Sequence, residues 1–267
     1  MIAGGEYYDA DLLKTLKDNG LKMISRMGVG FDHVDIVAAR ALGIIVTNTP
    51  GANAQTVAEH ALALTMAASR GIGIADAQMH GGTWKAPRMR DLTGRTFGLI
   101  GFGNIARHYA RLVAPLAGRI LAYDAYQDED IARALHVEYV SMDELLAQSD
   151  VLSLHIPLSD DTKGLIDRVR IAQMKPDAIL INTSRGEVID EAALCDALSH
   201  DRLFAAGLDV FCHEPLEQDS PLRGLDNCVM TPHCASLTPE AFQSMLRANI
   251  DSIEAHITGK GRLSQVN

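Results

Sequence analysis

Three residues in the last third of the chain could do chemistry together, and each follows a short apolar run. Arg185 follows ILIN (179–182), Glu214 follows LFAAGLDV (203–210), and His233 follows CVMT (228–231). A guanidinium is always charged and can hold a carboxylate through two parallel hydrogen bonds. An imidazole titrates near neutrality and can serve as general acid or base. A glutamate bonded to that imidazole would orient the ring and keep it protonated. Singly, each residue is as well explained by a surface turn or a packed loop. Three such residues at three strand ends point to the grip of an anion and the transfer of a proton.

For these side chains to converge, the runs must be strands of one open parallel sheet, whose ligands bind beyond the carboxyl ends. From residue 96 onward the chain alternates as such a sheet requires. TFGLI reads as a strand and 104–117 as a helix, then RILAYD as a strand and 128–135 as a helix. VEYV is a short strand, followed by a helix over 141–148 that opens on Ser141 with Glu144 three residues on, a capping box. VLSLHI, two short helices within 163–174, ILIN, a helix over 190–199 and LFAAGLDV continue the alternation. The pattern predicts an α/β protein with a doubly wound parallel sheet.

Upstream, LKMIS (21–25) and IIVTN (44–48) read as strands around a short helix over 33–43. Residues 53–80 read as one long helix whose apolar face is Val57, Ala61, Leu62, Leu64, Thr65 and Ala68. A loop over 81–94 carries the only tryptophan, Trp84, expected to pack against the long helix or a partner subunit. The last helix, 238–258, opens on Thr238-Pro239, an N-cap followed by proline. It is expected to cross back to the first lobe. The expected division is a nucleotide-binding domain over 53–235 and a smaller lobe formed by 1–52 with 236–267.

The nucleotide signal is Gly101-x-Gly103-x-x-Ala106, set between a predicted strand and helix, with Asp124 18 positions after Ala106. Gly101 permits the tight turn and Gly103 lets the backbone approach a pyrophosphate. The helix start at Gly103, Asn104 and Ile105 offers amides and the positive end of the helix dipole. Such a glycine run alone is weak; its strand, its helix and the spaced acid make a chance loop improbable. A carboxylate at Asp124 accepts from both ribose hydroxyls and repels a 2′-phosphate, so the expected cofactor is NAD rather than NADP.

Composition bounds the partners. The 267 residues are 47% hydrophobic and 22% charged, ordinary for a globular enzyme, and the net charge of −10 disfavours nucleic acid and anionic membranes. No apolar run approaches a membrane span, and nothing reads as a secretory signal. The four cysteines, Cys195, Cys212, Cys228 and Cys234, lack C-x-x-C spacing and read as reduced thiols of a cytoplasmic protein. Cys212 and Cys234 lie near the proposed crevice, which leaves a metal site conceivable, and none is assigned.

Several ordered phrases carry a resemblance: GFGNIA with Asp124, LSLHIPLSDDTKGLI, INTSRGEVIDEAAL, AAGLDVFCHEPL and TPHCAS. From about residue 20 to the final helix the chain resembles the D-isomer-specific 2-hydroxyacid dehydrogenases, in their phosphoglycerate dehydrogenase-like branch. The resemblance implies a Rossmann NAD-binding domain and a flavodoxin-like substrate lobe. It also implies hydride transfer between NAD and a small anionic 2-hydroxy or 2-keto acid, of phosphoglycerate, glyoxylate or hydroxypyruvate type. It gives His233 the role of acid/base, Glu214 that of its partner and Arg185 that of substrate anchor. As cofactor positions it adds Thr56, His155, Pro157, Thr183, Ser184 and Asp209, and as substrate positions Arg26, Val29 and Gly30. Thr56 is equally explained as a helix-start hydroxyl, His155 as a strand-end histidine, and Arg26 as half of a structural ion pair. A homodimer through the long helix and the Trp84 loop is implied as well.

Two departures qualify these expectations. Cys212-His213 stands where the family often has acidic residues, and Glu214 disfavours a formate dehydrogenase-like activity, whose branch resembles a Gln–His pair. Family members also have one or two strand–helix units before the segment matching Met1–Gly4. The substrate lobe is therefore expected to be truncated at its N-terminus. The alternative that follows is an NAD-binding protein with impaired catalysis or a sensing role.

Overall fold

The computed structural model describes residues 1–261 and 263–267, and the chain divides into two compact units, Met1–Thr56 with Ser236–Asn267, and Val57–Ala235. The smaller unit carries a parallel sheet of β1 (Ile2–Ala3), β2 (Met23–Arg26) and β3 (Ile45–Thr47), in that order. Two helices connect them, α1 (Ala10–Asp18) and α2 (Ile36–Ala41). The sequence reading missed α1, whose start signal is local: the Asp9 carboxylate accepts from the Leu12 amide and the helix buries Leu13. The core of this unit is Ala3, Tyr8, Leu13, Ile24, Val34, Ala39, Ile44 and Val46. Its final helix, Pro239–Thr258, is capped by Thr238 and bonded to β2 through Ser25 Oγ, which donates to the buried Asn249 Oδ1 at 2.6 Å.

The larger unit begins with a helix that the sequence expected to run unbroken over 53–80. It is two helices, α3 (Ala54–Arg70) and α4 (Ile72–His80), parted by Gly71 in the left-handed conformation at φ +58°. Trp84 packs against neither, being 90% exposed. A seven-stranded parallel sheet follows, in the order β10-β9-β8-β7-β4-β5-β6. In chain order its elements are β4 (Arg95–Ile100), α5 (Asn104–Val113), β5 (Ala117–Tyr123), α6 (Glu129–Ala134), β6 (Val137–Tyr139), α7 (Met142–Gln148) and β7 (Val151–Leu154). They continue with α8 (Arg168–Gln173), β8 (Ile179–Asn182), α9 (Glu191–Ser199), β9 (Ala205–Leu208) and β10 (Cys228–Met230), before the final helix, α10. The helix expected over 104–117 ends at Val113, because β5 already starts at Ala117. Of the two helices expected within 163–174 only α8 forms; Gly164, at φ +63°, closes a turn before it.

Strand periodicity sorts the core into two layers. Leu121, Leu152, Leu180 and Ala206 face one layer with α7 and α9, while Phe97, Leu99, Ile179 and Ile181 face the other with α3 and α5. With both faces covered, β7, β8 and β9 are buried throughout, which explains their continuous apolar runs. The α3 face is the one its sequence pattern predicts: Val57, Ala61, Leu64, Thr65 and Ala68 are buried, and Leu62 is partly buried. Thr65 donates to the Ala61 carbonyl and pairs with the Tyr109 hydroxyl, so its polar atom is satisfied inside that layer. The strand order reverses between β4 and β7, which opens a crevice at their carboxyl ends.

Candidate active site

The glycine loop stands at that reversal. Gly101 has φ +86°, and a Cβ there would lie 2.6 Å from the His155 carbonyl oxygen, so only glycine permits both the turn and the close strand crossing. A Cβ on Gly103 would meet nothing within 4 Å, which leaves a cradle above the start of α5. Gly103 is the N-cap of α5 and brings no side-chain cap, so amides of the first turn are open to an anion. The Thr183 hydroxyl, just past β8, is buried without a partner. This open cradle and orphaned hydroxyl fit a dinucleotide. Asp124 stands just past β5 and is already at work within the protein: Oδ2 accepts from the Phe102 amide at 2.6 Å and Oδ1 from the Tyr126 amide at 2.8 Å. It therefore pins the glycine loop to the β5 end. One neighbouring cation escaped the sequence reading. Arg107 donates to the Phe102 carbonyl at 2.9 Å and pairs with Asp128 at 3.2 Å, which commits its charge.

Farther along the same sheet, three loops assemble the trio. Asn182, the last residue of β8, organises the first: its Oδ1 accepts from the Ser184 amide and hydroxyl, and its Nδ2 donates to the Arg185 carbonyl at 2.8 Å. Gly186 then lets this loop touch the one after β9, since a Cβ there would fall 1.9 Å from the Phe211 carbonyl carbon. In the second loop, Glu214 Oε1 accepts from the Phe211 amide at 3.0 Å. Its other oxygen, Oε2, lies 2.6 Å from His233 Nδ1 in the third. His233 sits at φ +49°, a left-handed conformation that a non-glycine residue adopts at some cost and that a surrounding turn must enforce.

The enforcing group is Asp209, fully buried just past β9. Its backbone carbonyl accepts from the His233 amide at 2.8 Å. Its Oδ1 accepts from the Thr231 hydroxyl at 2.6 Å and the Cys234 amide at 2.9 Å, and its Oδ2 from the Ala235 amide at 2.9 Å. His60 of α3 stands behind it, with Nε2 2.9 Å from Thr231 Oγ1. Asn182, Thr231 and His60 were not singled out from sequence; the only signal for them was their place beside Arg185 and His233 or on α3.

Electrostatics follow from this packing. The bond to Glu214 raises the His233 imidazole above its usual value, with burial and Arg185 opposing and the Glu214 and Asp209 charges assisting. Burial works to raise Glu214, but the bonds from His233 and the Phe211 amide, with the His233 and Arg185 charges, hold it below the usual carboxylate value. Burial likewise opposes Asp209, whose bonds from His60, Thr231 and the two amides outweigh it and keep the carboxylate ionised. An imidazole bonded to one carboxylate, with its protonated form favoured by a second and a guanidinium nearby, can donate a proton beside a bound anion.

The remaining positions fall as follows. The His155 ring turns into the apolar layer, 5.4 Å from the Tyr109 ring, with both nitrogens buried and unpartnered; burial pushes its pKa down to about 3. Its backbone, not its imidazole, faces the glycine loop. Pro157 is exposed and Ser184 partly buried, each just beyond its strand. Thr56, expected in the nucleotide domain, groups with the smaller unit. There, Arg26 ends β2 and Nη1 donates to the Met27 carbonyl at 2.6 Å; the Tyr8 hydroxyl feels both the Glu6 and Arg26 charges. Val29 lends its carbonyl to Asn48 Nδ2 at 2.8 Å. All four cysteines are free thiols, and no helix among the described residues is long and apolar enough to cross a membrane.

Comparison with known proteins places the chain in a family. Residues 62–235 match the D-isomer specific 2-hydroxyacid dehydrogenase, NAD binding domain. A glyoxylate reductase of Korarchaeum cryptofilum is 41% identical over 246 residues, covering 90% of this chain and 74% of that protein. A D-3-phosphoglycerate dehydrogenase of Mycobacterium tuberculosis is 44% identical over 257 residues, 96% of this chain but 48% of the relative, so the chain spans about half that protein's length. Among solved structures, a glyoxylate reductase from Paecilomyes thermophila superposes with a TM-score of 0.90 at 31% identity, covering 99% of this chain and 82% of that one. The chain belongs to the D-isomer specific 2-hydroxyacid dehydrogenases, a family of NAD-dependent oxidoreductases, and carries their NAD-binding domain.

Proposed function

We propose that the protein interconverts a small 2-keto acid and its D-2-hydroxy acid, with His233 as proton donor and acceptor. The observation that carries this is the 2.6 Å contact between His233 Nδ1 and Glu214 Oε2, with the Arg185 charge acting on both groups. The amides at Gly103–Ile105 and the Asp124 carboxylate would hold NAD, which would supply or accept the hydride, and the Asp124 charge would favour it over NADP. Glu214 engages Nδ1, leaving Nε2–H to give its proton to the substrate oxygen in reduction. The same nitrogen takes the proton back in oxidation. Arg185 anchors the substrate carboxylate and carbonyl oxygen. Pro157, Thr183 and Ser184 line the nicotinamide side.

The substrate class supported best is an unphosphorylated acid such as glyoxylate or hydroxypyruvate. Arg26, the cation that a phosphate would need, already donates to Met27 and shares its surroundings with Glu6. A homodimer through α3, α4 and the Trp84 loop belongs to the same proposal, supported by the exposure of Ile72, Met79 and Trp84. The free thiols fit a reducing compartment such as the cytoplasm.

The test is NADH oxidation with glyoxylate, hydroxypyruvate and 3-phosphohydroxypyruvate. Turnover with the first two and a poorer kcat/KM with the third is expected. Background rates with all three would refute the assignment, and a preference for the phosphorylated acid would refute the reading of Arg26 as already engaged.

A further inference from the structure

His60, Asp209 and Cys234 bring together an imidazole, a carboxylate and a thiol, none of which gives or takes the proton moved at His233. They come from three separate parts of the larger unit: α3, the end of β9 and the loop after β10. Their ligand atoms all lie within 4.8 Å of one another, and His60 Nε2 is 3.4 Å from Asp209 Oδ1. Around a tetrahedral zinc, ligand atoms at about 2.0–2.3 Å from the metal stand roughly 3.3–3.7 Å apart. The nitrogen and oxygen are thus already at ligand spacing, and a modest rotation of the Cys234 side chain completes the face. We propose that these three residues form an inhibitory site for a zinc-class divalent cation.

The chemistry balances without any redox partner. In the unliganded state the Thr231 hydroxyl donates to the ionised Asp209, so its lone pair receives the proton on His60 Nε2. When the ion binds, the ring proton moves to Nδ1 and frees Nε2, while the Cys234 thiol releases its proton to water. One thiolate and one carboxylate then neutralise the divalent charge. A thiolate selects zinc or cobalt over magnesium and calcium, whose preferred ligands are oxygens. Three protein ligands leave one coordination position for water. Asp209 Oδ2 stays bonded to the Ala235 amide at 2.9 Å, a support that orients the carboxylate.

Inhibition follows from the oxygen the metal takes. Oδ1 is the atom that accepts from Thr231 and from the Cys234 amide, two of the bonds that hold the His233 turn in its left-handed conformation. Coordination competes with both and lets that turn relax. The inhibitory consequence rests on His233 as the proton donor, whereas metal binding does not.

Zinc chloride titrated calorimetrically into the full chain, with the thiols kept reduced, decides the site without any turnover. One ion per chain is expected, with cobalt giving a thiolate-to-metal charge-transfer band. Cys234→Ser and His60→Gln should each weaken binding by more than about tenfold. Cys212→Ser should leave it unchanged, as should excess magnesium. Circular dichroism of each variant separates ligand loss from unfolding. Absence of stoichiometric binding, full affinity in folded Cys234→Ser, or loss of binding in folded Cys212→Ser would overturn the site. Zinc should also depress NADH oxidation in the parent and not the activity that Cys234→Ser retains; equal inhibition of both would overturn its inhibitory role. Silence toward every 2-keto acid would instead count against the dehydrogenase proposal.

Discussion

Asp124 and Asp209 each stand just past the carboxyl end of a strand in the same sheet, and each carboxylate gathers backbone amides, yet they are built for different work. Asp124 is partly exposed and bonds two amides, those of Phe102 and Tyr126. It shapes the glycine loop and still presents a carboxylate to solvent, where ribose hydroxyls can reach it. Asp209 is fully buried and bonds a hydroxyl and two amides of the segment that carries His233. The surface aspartate can be read by a ligand, while the buried one fixes the geometry of a neighbour. Position at a strand end is shared; burial decides the role.

The comparison breaks most visibly at Asp209. Asp209→Ala leaves the Thr231 hydroxyl and the amides of Cys234 and Ala235 without acceptors, a loss of about 3 kcal/mol or more. Urea unfolding should report that loss, and activity should fall by about a hundredfold or more as the His233 turn loosens. Asp209→Asn, which keeps an acceptor, should fall between. A stable and active Asp209→Ala would mean that the His233 turn holds itself.

Acid is the next lever. Asp209 is held below its usual value, so its contribution is complete above the unfolded aspartate value of about 3.9 and is lost as pH falls through the folded value. His155 acts in a higher window, where protonation creates a charge instead of removing one. Its folded pKa is about 3, so between about 6.5 and about 3 the unfolded chain binds a proton that the folded chain refuses. Stability should therefore fall with pH across that window, by up to about 1.4 kcal/mol per pH unit. Thermal unfolding of His155→Phe should lack this component, and an unchanged slope would assign it to other groups.

Asp124 should give the smallest effect. Asp124→Ser should raise the KM for NADH by about tenfold, narrow the preference over NADPH and change unfolding free energy by only about 1 kcal/mol. Loss of stability as large as in Asp209→Ala would show that both aspartates are structural.

The same contrast explains what was legible in the sequence. The Asp124 site is written in one continuous strand–loop–helix–strand stretch with fixed spacing, so its residues could be named in advance. The trio was also legible, because each member follows a buried apolar run. Asp209's true partners are separated from it by more than 20 residues or lie on α3, and no local pattern reveals them. The same holds for His155, whose strand-end position suggested a polar role while its ring packs beside Tyr109. The break at Gly71 went unseen because the flanking residues remain good helix formers, and α1 was passed over because its apolar face is only a few residues long.

Of all measurements, the pH dependence of 2-keto acid reduction tests the proton-transfer assignment most directly. With glyoxylate and NADH, kcat/KM should be high at low pH and fall as pH rises through the raised His233 value, because reduction needs the protonated ring. Glu214→Gln removes the bond that raises that value and should move the fall to lower pH. His233→Asn should lower kcat by about a hundredfold or more while leaving NADH binding intact. A parent profile with no such fall, or a His233→Asn variant with the parent rate, would contradict the account.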